Sequence, residues 1–346
     1  LQAVAEKLGD RPQLLEAILP PVPTKGDLAL ARTVKEGVDQ ALAFLPNAVP
    51  LAGSNAFVVG GGRSASGRPI LASDPHLELP LPSIWYLLSV KGSRYAAVGC
   101  SLPGLPGVVI GRTPGVAWGV TNGMIDDGDV WEEEIDGPGS RYRVDGRWRP
   151  LHVETQEIKR RGASPVLMRL RRTHRGPVFT DAFPSWPGKP LSLRMTLHEP
   201  TEDLQAFLGI GRARDVEAAR AAVGGYGAPV QNLLLADADG RAAYRLMGRV
   251  PERPQHPVHP GLVRDGSTTE LDWTGWIDPA RLPHFDIGPD DAVVSANEPH
   301  LAEEDAPYLS HLYEPPYRAS RLRAGLEGRD ALTPQDLRDL QIDVQN

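Results

Sequence analysis

The sequence predicts an α+β fold in which layers of sheet and helix pack on one another. Three observations carry that prediction. Apolar residues recur at helical spacing near both ends, short apolar runs punctuated by Gly, Pro, Asp and Asn fill the middle, and no internal repeat is visible. No βαβ alternation appears, which argues against a parallel doubly wound sheet.

Taken in order, residues 1 to about 50 read as helix, with "RPQLLEAIL" and "LALARTVKEGVDQALAFL" separated by Pro20, Pro21 and Pro23. Residues 54 to about 300 read mainly as strand, in runs such as "YAAVGCSLPG", "GVVIGRTPGVAWGVT", "RYRVDGRWRPL", "VLMRLRRTHRGPVF" and "NLLLADADGRAAYRLMG". Asp145-Gly146 and Asp239-Gly240 are hairpin signals, since both residue types tolerate positive φ. A helical pair, "LQAFLGIGRARDVEAARAAVGGYG", interrupts the strands. Helix returns over 316–344, where Thr333-Pro334 supplies a capping residue followed by a proline suited to the first helical turn.

One stretch, "AGSNAFVVGGGRSASG" at 52–67, admits two readings. Gly60-Gly61-Gly62-Arg63-Ser64-Ala65 fits a G-x-G-x-x-A dinucleotide loop behind an apolar run. That loop must open a helix, whereas Gly67 and Pro69 oppose one and a second apolar run, Ile70-Leu71-Ala72, follows. A β-hairpin is the better expectation, with the glycines as turn residues supplying positive φ. Attention then passes to Gly53-Ser54-Asn55, at the mouth of the first strand.

Composition narrows the function. The chain has 346 residues and a formal charge of −7, with no long basic run, which argues against a nucleic-acid partner. It contains 31 Arg against 6 Lys. The single Cys100 excludes an internal disulfide and a cysteine-based metal site. No apolar stretch approaches the roughly 20 residues of a membrane-spanning helix.

Read residue by residue, the chemistry stays open. Ser54 lacks the second glycine of a G-x-S-x-G elbow, and a serine after glycine is ordinarily a turn residue. Asn232 in "PVQN" reads equally as a strand-edge residue, His76 in "SDPH" as a turn cap, and Arg253 in "PER" as a solvated arginine.

The order of several separated motifs changes the balance. Ser54-Asn55 opening a strand is followed by "ILASDPHLELPLPSIWYLLSV", "GCSLPGLPGVVIGRTPGVAWGVTN" and "PVQNLLLADADGRAAYRLMGRVPER". Together, over residues 54 to about 344, they resemble the penicillin acylase family of N-terminal nucleophile hydrolases. The resemblance implies an αββα sandwich of two antiparallel sheets flanked by helices. It implies that 1–53 is the end of the α-chain region with a linker, and that 54–346 is the β-chain core. The remaining α-chain and C-terminal segments of the same precursor would then be missing partners.

In that family the precursor cuts itself before the nucleophile, so the scissile bond here would join Gly53 to Ser54. The freed α-amine, with an ordinary pKa of roughly 7.7 to 8.0, would then serve as the base for the Ser54 hydroxyl. The resemblance further implies that Asn232 and the backbone N–H of Asn122 form the oxyanion hole, that His76 orients the nucleophile, and that Arg253 fixes the asparagine and the new amine. The chemistry would need no cofactor. Asp126 and Asp129, in an Asp-Asp-Gly-Asp run, fall near the family's calcium ligands and suit a structural Ca²⁺. Trp85 and Trp131, with Tyr86, Leu105 and Val109, are candidates for an apolar acyl pocket or for core. The expected substrate is a small N-acyl amide of the penicillin, cephalosporin or acyl-homoserine-lactone type, and the expected location periplasmic or secreted. A β-rich binding module or unprocessed inactive homologue is the alternative.

Overall fold

A computed structural model describes residues 53–344 apart from 78–79, 94, 184–187, 255–260 and 300–306. The helices expected over residues 1–50 lie outside the described residues. The chain divides into two compact units. One comprises 53–125, Thr201–Arg249 and 277–344, and the other Asp126–Pro200 and Val250–Trp276.

The unit that begins with Ser54 holds ten strands among the described residues. They are β1 (Ser54–Val59), β2 (Ile70–Pro75), β3 (Tyr86–Lys91), β4 (Ala96–Ser101), β5 (Ile110–Arg112), β6 (Val116–Asn122), β7 (Gln231–Asp237), β8 (Ala242–Met247), β9 (His284–Ile287) and β10 (Ala292–Ser295). Its helices are α1 (Asp203–Ile210), α2 (Val216–Ala222), α3 (Tyr317–Leu326) and α4 (Pro334–Gln341). Strands β3 to β9 form a seven-stranded antiparallel sheet in sequence order, while β1 lies between β2 and β10 in a three-stranded antiparallel sheet.

Side-chain alternation along β1 sets the layers. Ala56, Phe57, Val58 and Val59 are all fully buried, so this strand is covered on both faces. Ala56 and Val58 pack with Leu234, Ala236 and Tyr244 of the larger sheet. Phe57 and Val59 pack on the opposite side with Leu322 and Leu326 of α3 and Leu337 and Leu340 of α4. The outer face of the larger sheet presents Trp118, Leu233 and Leu235 to Ala206, Ile210, Val216 and Ala219 of α1 and α2. The order is therefore helix, sheet, sheet, helix, the αββα sandwich expected. Each large apolar side chain so buried contributes roughly 1.5–3 kcal/mol.

The helix boundaries follow their caps. The Thr333 side chain accepts a hydrogen bond from the Asp336 N–H while the Asp336 carboxylate accepts one from the Thr333 N–H, and Pro334 starts α4 as the sequence predicts. Asp215 caps α2. The β1–β2 hairpin is also as expected, but its glycines act differently. Gly60 has φ −65°, and among the glycines of this turn Gly67 alone has positive φ. A Cβ on Gly60 would lie 2.2 Å from the Gly288 carbonyl and 2.4 Å from that of Pro289, so this glycine permits a close backbone crossing with the β9–β10 turn.

The second unit is built of smaller sheets. Gly128–Glu132 pairs antiparallel with Leu191–Met195 and parallel with Arg264–Asp265. Arg141–Val144 and Arg147–Pro150 form the hairpin announced by Asp145-Gly146, whose φ values are 50° and 72°. A longer hairpin pairs His152–Arg160 with Ala163–Arg172. No helix among the described residues is long and apolar enough to cross a membrane.

Candidate active site

Ser54 sits at the first position of β1 and is buried. By alternation its side chain shares the inter-sheet face with Ala56 and Val58. Its backbone N–H donates to Asn297 Oδ1 at 2.6 Å. The preceding carbonyl, that of Gly53, accepts the His76 N–H at 2.8 Å. Both polar groups of the Gly53–Ser54 peptide are thus held by partners distant in sequence. The His76 ring is partly exposed, with Nε2 2.7 Å from Asp74 Oδ2 and 3.4 Å from Asn55 Nδ2.

Asn232 follows Gln231 at the start of β7 and shares the inter-sheet face with Leu234. Its amide N–H₂ donates to Thr121 Oγ1 at 2.9 Å and to the Asn122 carbonyl at 3.2 Å, while its Oδ1 accepts the Tyr244 hydroxyl at 2.7 Å. Burial holds the Tyr244 phenol far above its ordinary pKa, with the negative side chain of Glu298 and the phenol of Tyr313 adding to the shift. Tyr244 therefore remains a neutral donor and fixes the orientation of the Asn232 amide. The same Asn122 carbonyl accepts the Asn297 side-chain amide at 2.8 Å. A continuous path of hydrogen bonds thus runs from Ser54 N through Asn297 and Asn122 to Asn232. Ser54, His76, Asn122 and Asn232 all belong to this one unit.

Asn297 and Arg318 were not foreseen from the sequence. Asn297 follows β10 with φ 68°, a left-handed conformation that asparagine tolerates better than most residues, and this turns its side chain to Ser54. Arg318, in the first turn of α3, donates through Nη1 to the Ser54 carbonyl at 2.8 Å and to Asn55 Oδ1 at 2.7 Å. Through Nη2 it donates to Asn297 Oδ1 at 3.1 Å. The available signal was faint. An asparagine after the apolar run "AVVS" marks a strand end, but Arg318 is one of 31 arginines and carries no local mark.

Arg253 is engaged within the second unit. Its Nε donates to Asp129 Oδ2 at 2.9 Å and its Nη2 to the Asp126 carbonyl at 2.7 Å, all within the second unit. Within its own unit, the Ser54 strand is reached by Arg318. Asp129 is buried and needs cationic partners. Arg264 Nη2 reaches Oδ1 of Asp129 at 2.8 Å, and the Trp273 indole N–H donates to Oδ2 beside Arg253.

The same bonds bear on the calcium expectation. Both oxygens of Asp129 are engaged by N–H donors and two guanidinium charges lie beside them, a setting that does not fit a Ca²⁺ ligand. Among the described residues no group of three or more His, Cys, Asp or Glu side chains could hold a metal ion. Asp129→Asn removes the charge that offsets Arg253 and Arg264. Breaking such a buried network costs about 3–5 kcal/mol, which a urea melt of this variant will show as a lowered midpoint.

Of the pocket candidates, Trp131 is fully buried, with the Arg175 and Arg264 guanidiniums 5.4 Å and 5.7 Å from its ring centroid. That is a core position within its unit. Trp85 is half-buried, Tyr86 is exposed, Leu105 is half-buried and Val109 is buried.

A family model described as penicillin amidase matches residues 5–346. The chain belongs to the penicillin amidase family. Curated relatives agree. An acyl-homoserine lactone acylase, QuiP, from Pseudomonas aeruginosa is 29% identical over 300 residues, covering 83% of this chain and 35% of the relative. The penicillin acylase 2 proenzyme of Pseudomonas sp. strain SE83 is 28% identical over 322 residues, covering 92% of this chain and 41% of the relative. Among solved structures, a thermostable penicillin G acylase from Alcaligenes faecalis superposes with a TM-score of 0.72 at 22% identity, covering 83% of this chain and 51% of that one. The αββα arrangement is therefore the penicillin amidase fold. The chain spans about two-fifths or less of the length of these curated relatives.

Proposed function

We propose that this chain is the nucleophile-bearing segment of a self-processing acylase that hydrolyses small N-acyl amides, with Ser54 as the N-terminal nucleophile. Residues 1–53 are the end of the α-chain region with a linker, and 54–346 begin the catalytic β chain. The observation that carries this reading is the hydrogen-bonded path from the Ser54 nitrogen through Asn297 and the Asn122 carbonyl to Asn232. It ties the first residue of a buried strand to an amide donor on the facing sheet.

In self-cleavage the Ser54 Oγ attacks the Gly53 carbonyl carbon. The Gly53–Ser54 C–N bond breaks, the hydroxyl proton ends on the Ser54 nitrogen, and the resulting ester is hydrolysed by water to a Gly53 carboxylic acid and the free hydroxyl. In turnover the Ser54 amine accepts the Oγ proton as Oγ attacks the substrate amide, and that proton leaves with the departing amine. Water then releases the acyl group as an acid. No cofactor is needed, because nucleophile and base reside on one residue.

Asn232 Nδ2 is the donor for the tetrahedral oxyanion. In the uncut chain its protons are spent on Thr121 and the Asn122 carbonyl, so the active form must release one of them to the oxyanion. The relatives' names point to penicillin or acyl-homoserine lactone amides as the substrates to try first. Mature full-length protein offered phenylacetyl, glutaryl and C8–C14 acyl amides should release a primary amine stoichiometric with the acid. Loss of a lactone ring without release of an acid would contradict the amide reading.

A further inference from the structure

We propose that Arg318 positions the Gly53–Ser54 peptide for self-cleavage and restricts position 53 to glycine. This rests on the self-processing reading given above. The guanidinium fork spans three acceptors, the Ser54 carbonyl at 2.8 Å, Asn55 Oδ1 at 2.7 Å and Asn297 Oδ1 at 3.1 Å. The last of these also accepts the Ser54 N–H at 2.6 Å. One planar cation therefore fixes both the residue that attacks and the side chain that holds its nitrogen. Arg318 is braced by Glu314, four residues earlier in the segment leading into α3, at 3.7 Å.

The same guanidinium lies over the residue before the cut. A Cβ at position 53 would sit 2.7 Å from Arg318 Nη2 and 3.0 Å from Cζ. Contacts that short are not tolerated, so a larger residue must push the guanidinium away. An arginine end can move, but here any shift loosens its bonds to Ser54, Asn55 and Asn297. On the other side the Gly53 carbonyl is pinned by the His76 N–H at 2.8 Å, so the peptide cannot simply retreat. Helix α3 does not depend on this fork, since it is seated by the buried side chains of Ala319, Leu322 and Leu326. The fork therefore serves the strand start.

In the acyl shift of self-cleavage the Ser54 Oγ must reach the Gly53 carbonyl carbon. A misplacement of about 1 Å in such a geometry costs about 100-fold in rate. The test uses the full-length protein encoded by the gene, as wild type, Gly53→Ala, Arg318→Ala, Arg318→Lys, and Gly53→Ala combined with each arginine variant. Intact-mass spectrometry follows the appearance of the chain that begins at Ser54, with circular dichroism and a thermal melt read alongside.

Gly53→Ala alone should slow cutting at least about tenfold and Arg318→Ala about 10- to 100-fold. The combination should be no slower than Arg318→Ala alone, because the clash and the fork vanish together. Arg318→Lys keeps the charge and most of the stem but not the fork. It should fall between wild type and Arg318→Ala, and it carries the cycle if Arg318→Ala does not fold. Penalties that simply multiply, or arginine variants that cut at the wild-type rate, would overturn the proposal while leaving Ser54 as nucleophile. A wild-type protein left uncut before Ser54 would overturn the self-processing reading and this inference with it.

Discussion

Ser54→Ala should leave the full-length protein in one piece and without amidase activity. The substitution deletes one oxygen, and the backbone bonds that hold the position, from its N–H to Asn297 and from Arg318 to its carbonyl, remain available. The strand beyond it is anchored by four fully buried apolar residues, so the fold persists. What disappears is the only group proposed to attack either the Gly53 carbonyl or a substrate amide. Removing the nucleophile of a serine hydrolase lowers kcat on the order of 10⁶-fold. Gel electrophoresis and mass spectrometry report the first effect, and amine release the second. Ser54→Cys keeps a nucleophile and should still cut. Residual activity of Ser54→Ala within about tenfold of wild type would be incompatible with the mechanism, whose expected loss is far larger.

The second largest effect belongs to Asn232. Losing one preorganised oxyanion donor costs about 100- to 1,000-fold in kcat, so Asn232→Ala in the mature enzyme should fall in that range while KM changes much less. The structure adds a second consequence. Asn232 Oδ1 accepts the buried Tyr244 hydroxyl, and losing that bond costs about 1 kcal/mol of stability. Tyr244→Phe separates the two effects. It removes the bond that orients the amide but keeps the amide itself, so its kcat should drop by about tenfold at most, in keeping with a neutral hydrogen bond of roughly 1 kcal/mol. Near-normal kcat in Asn232→Ala would remove this residue from the oxyanion site.

Much of the architecture was legible in the sequence because it is encoded locally. The β1–β2 hairpin, the Asp145-Gly146 turn, the α1–α2 pair and the Thr333 cap each follow from a few adjacent residues. The glycine triplet at 60–62 was legible as a turn, but its reason was not. Gly60 is needed where the chain crosses Gly288 and Pro289, more than two hundred positions away. Sites that depend on such distant approaches escape local reading. Asn297 and Arg318 meet Ser54 across 243 and 264 positions, and only tertiary structure brings them together. For Arg253, the sequence supplied a position but not a partner. Its placement is decided by the buried carboxylate of Asp129, which Arg264 and Trp273 also serve. Dense carboxylates suggested a cation at 126–129, and the cations present there are guanidiniums of the chain itself.

The proposed mechanism requires Ser54 to become an N-terminus and to act from it. Its most direct test is N-terminal sequencing of the mature full-length protein, after purification and incubation at neutral pH. Two chains are expected, the one carrying the active site beginning Ser-Asn-Ala-Phe-Val, with Ser54 as its first residue. A fully active protein whose peptide chain is uncut, or whose corresponding chain begins at any other residue, would contradict that mechanism.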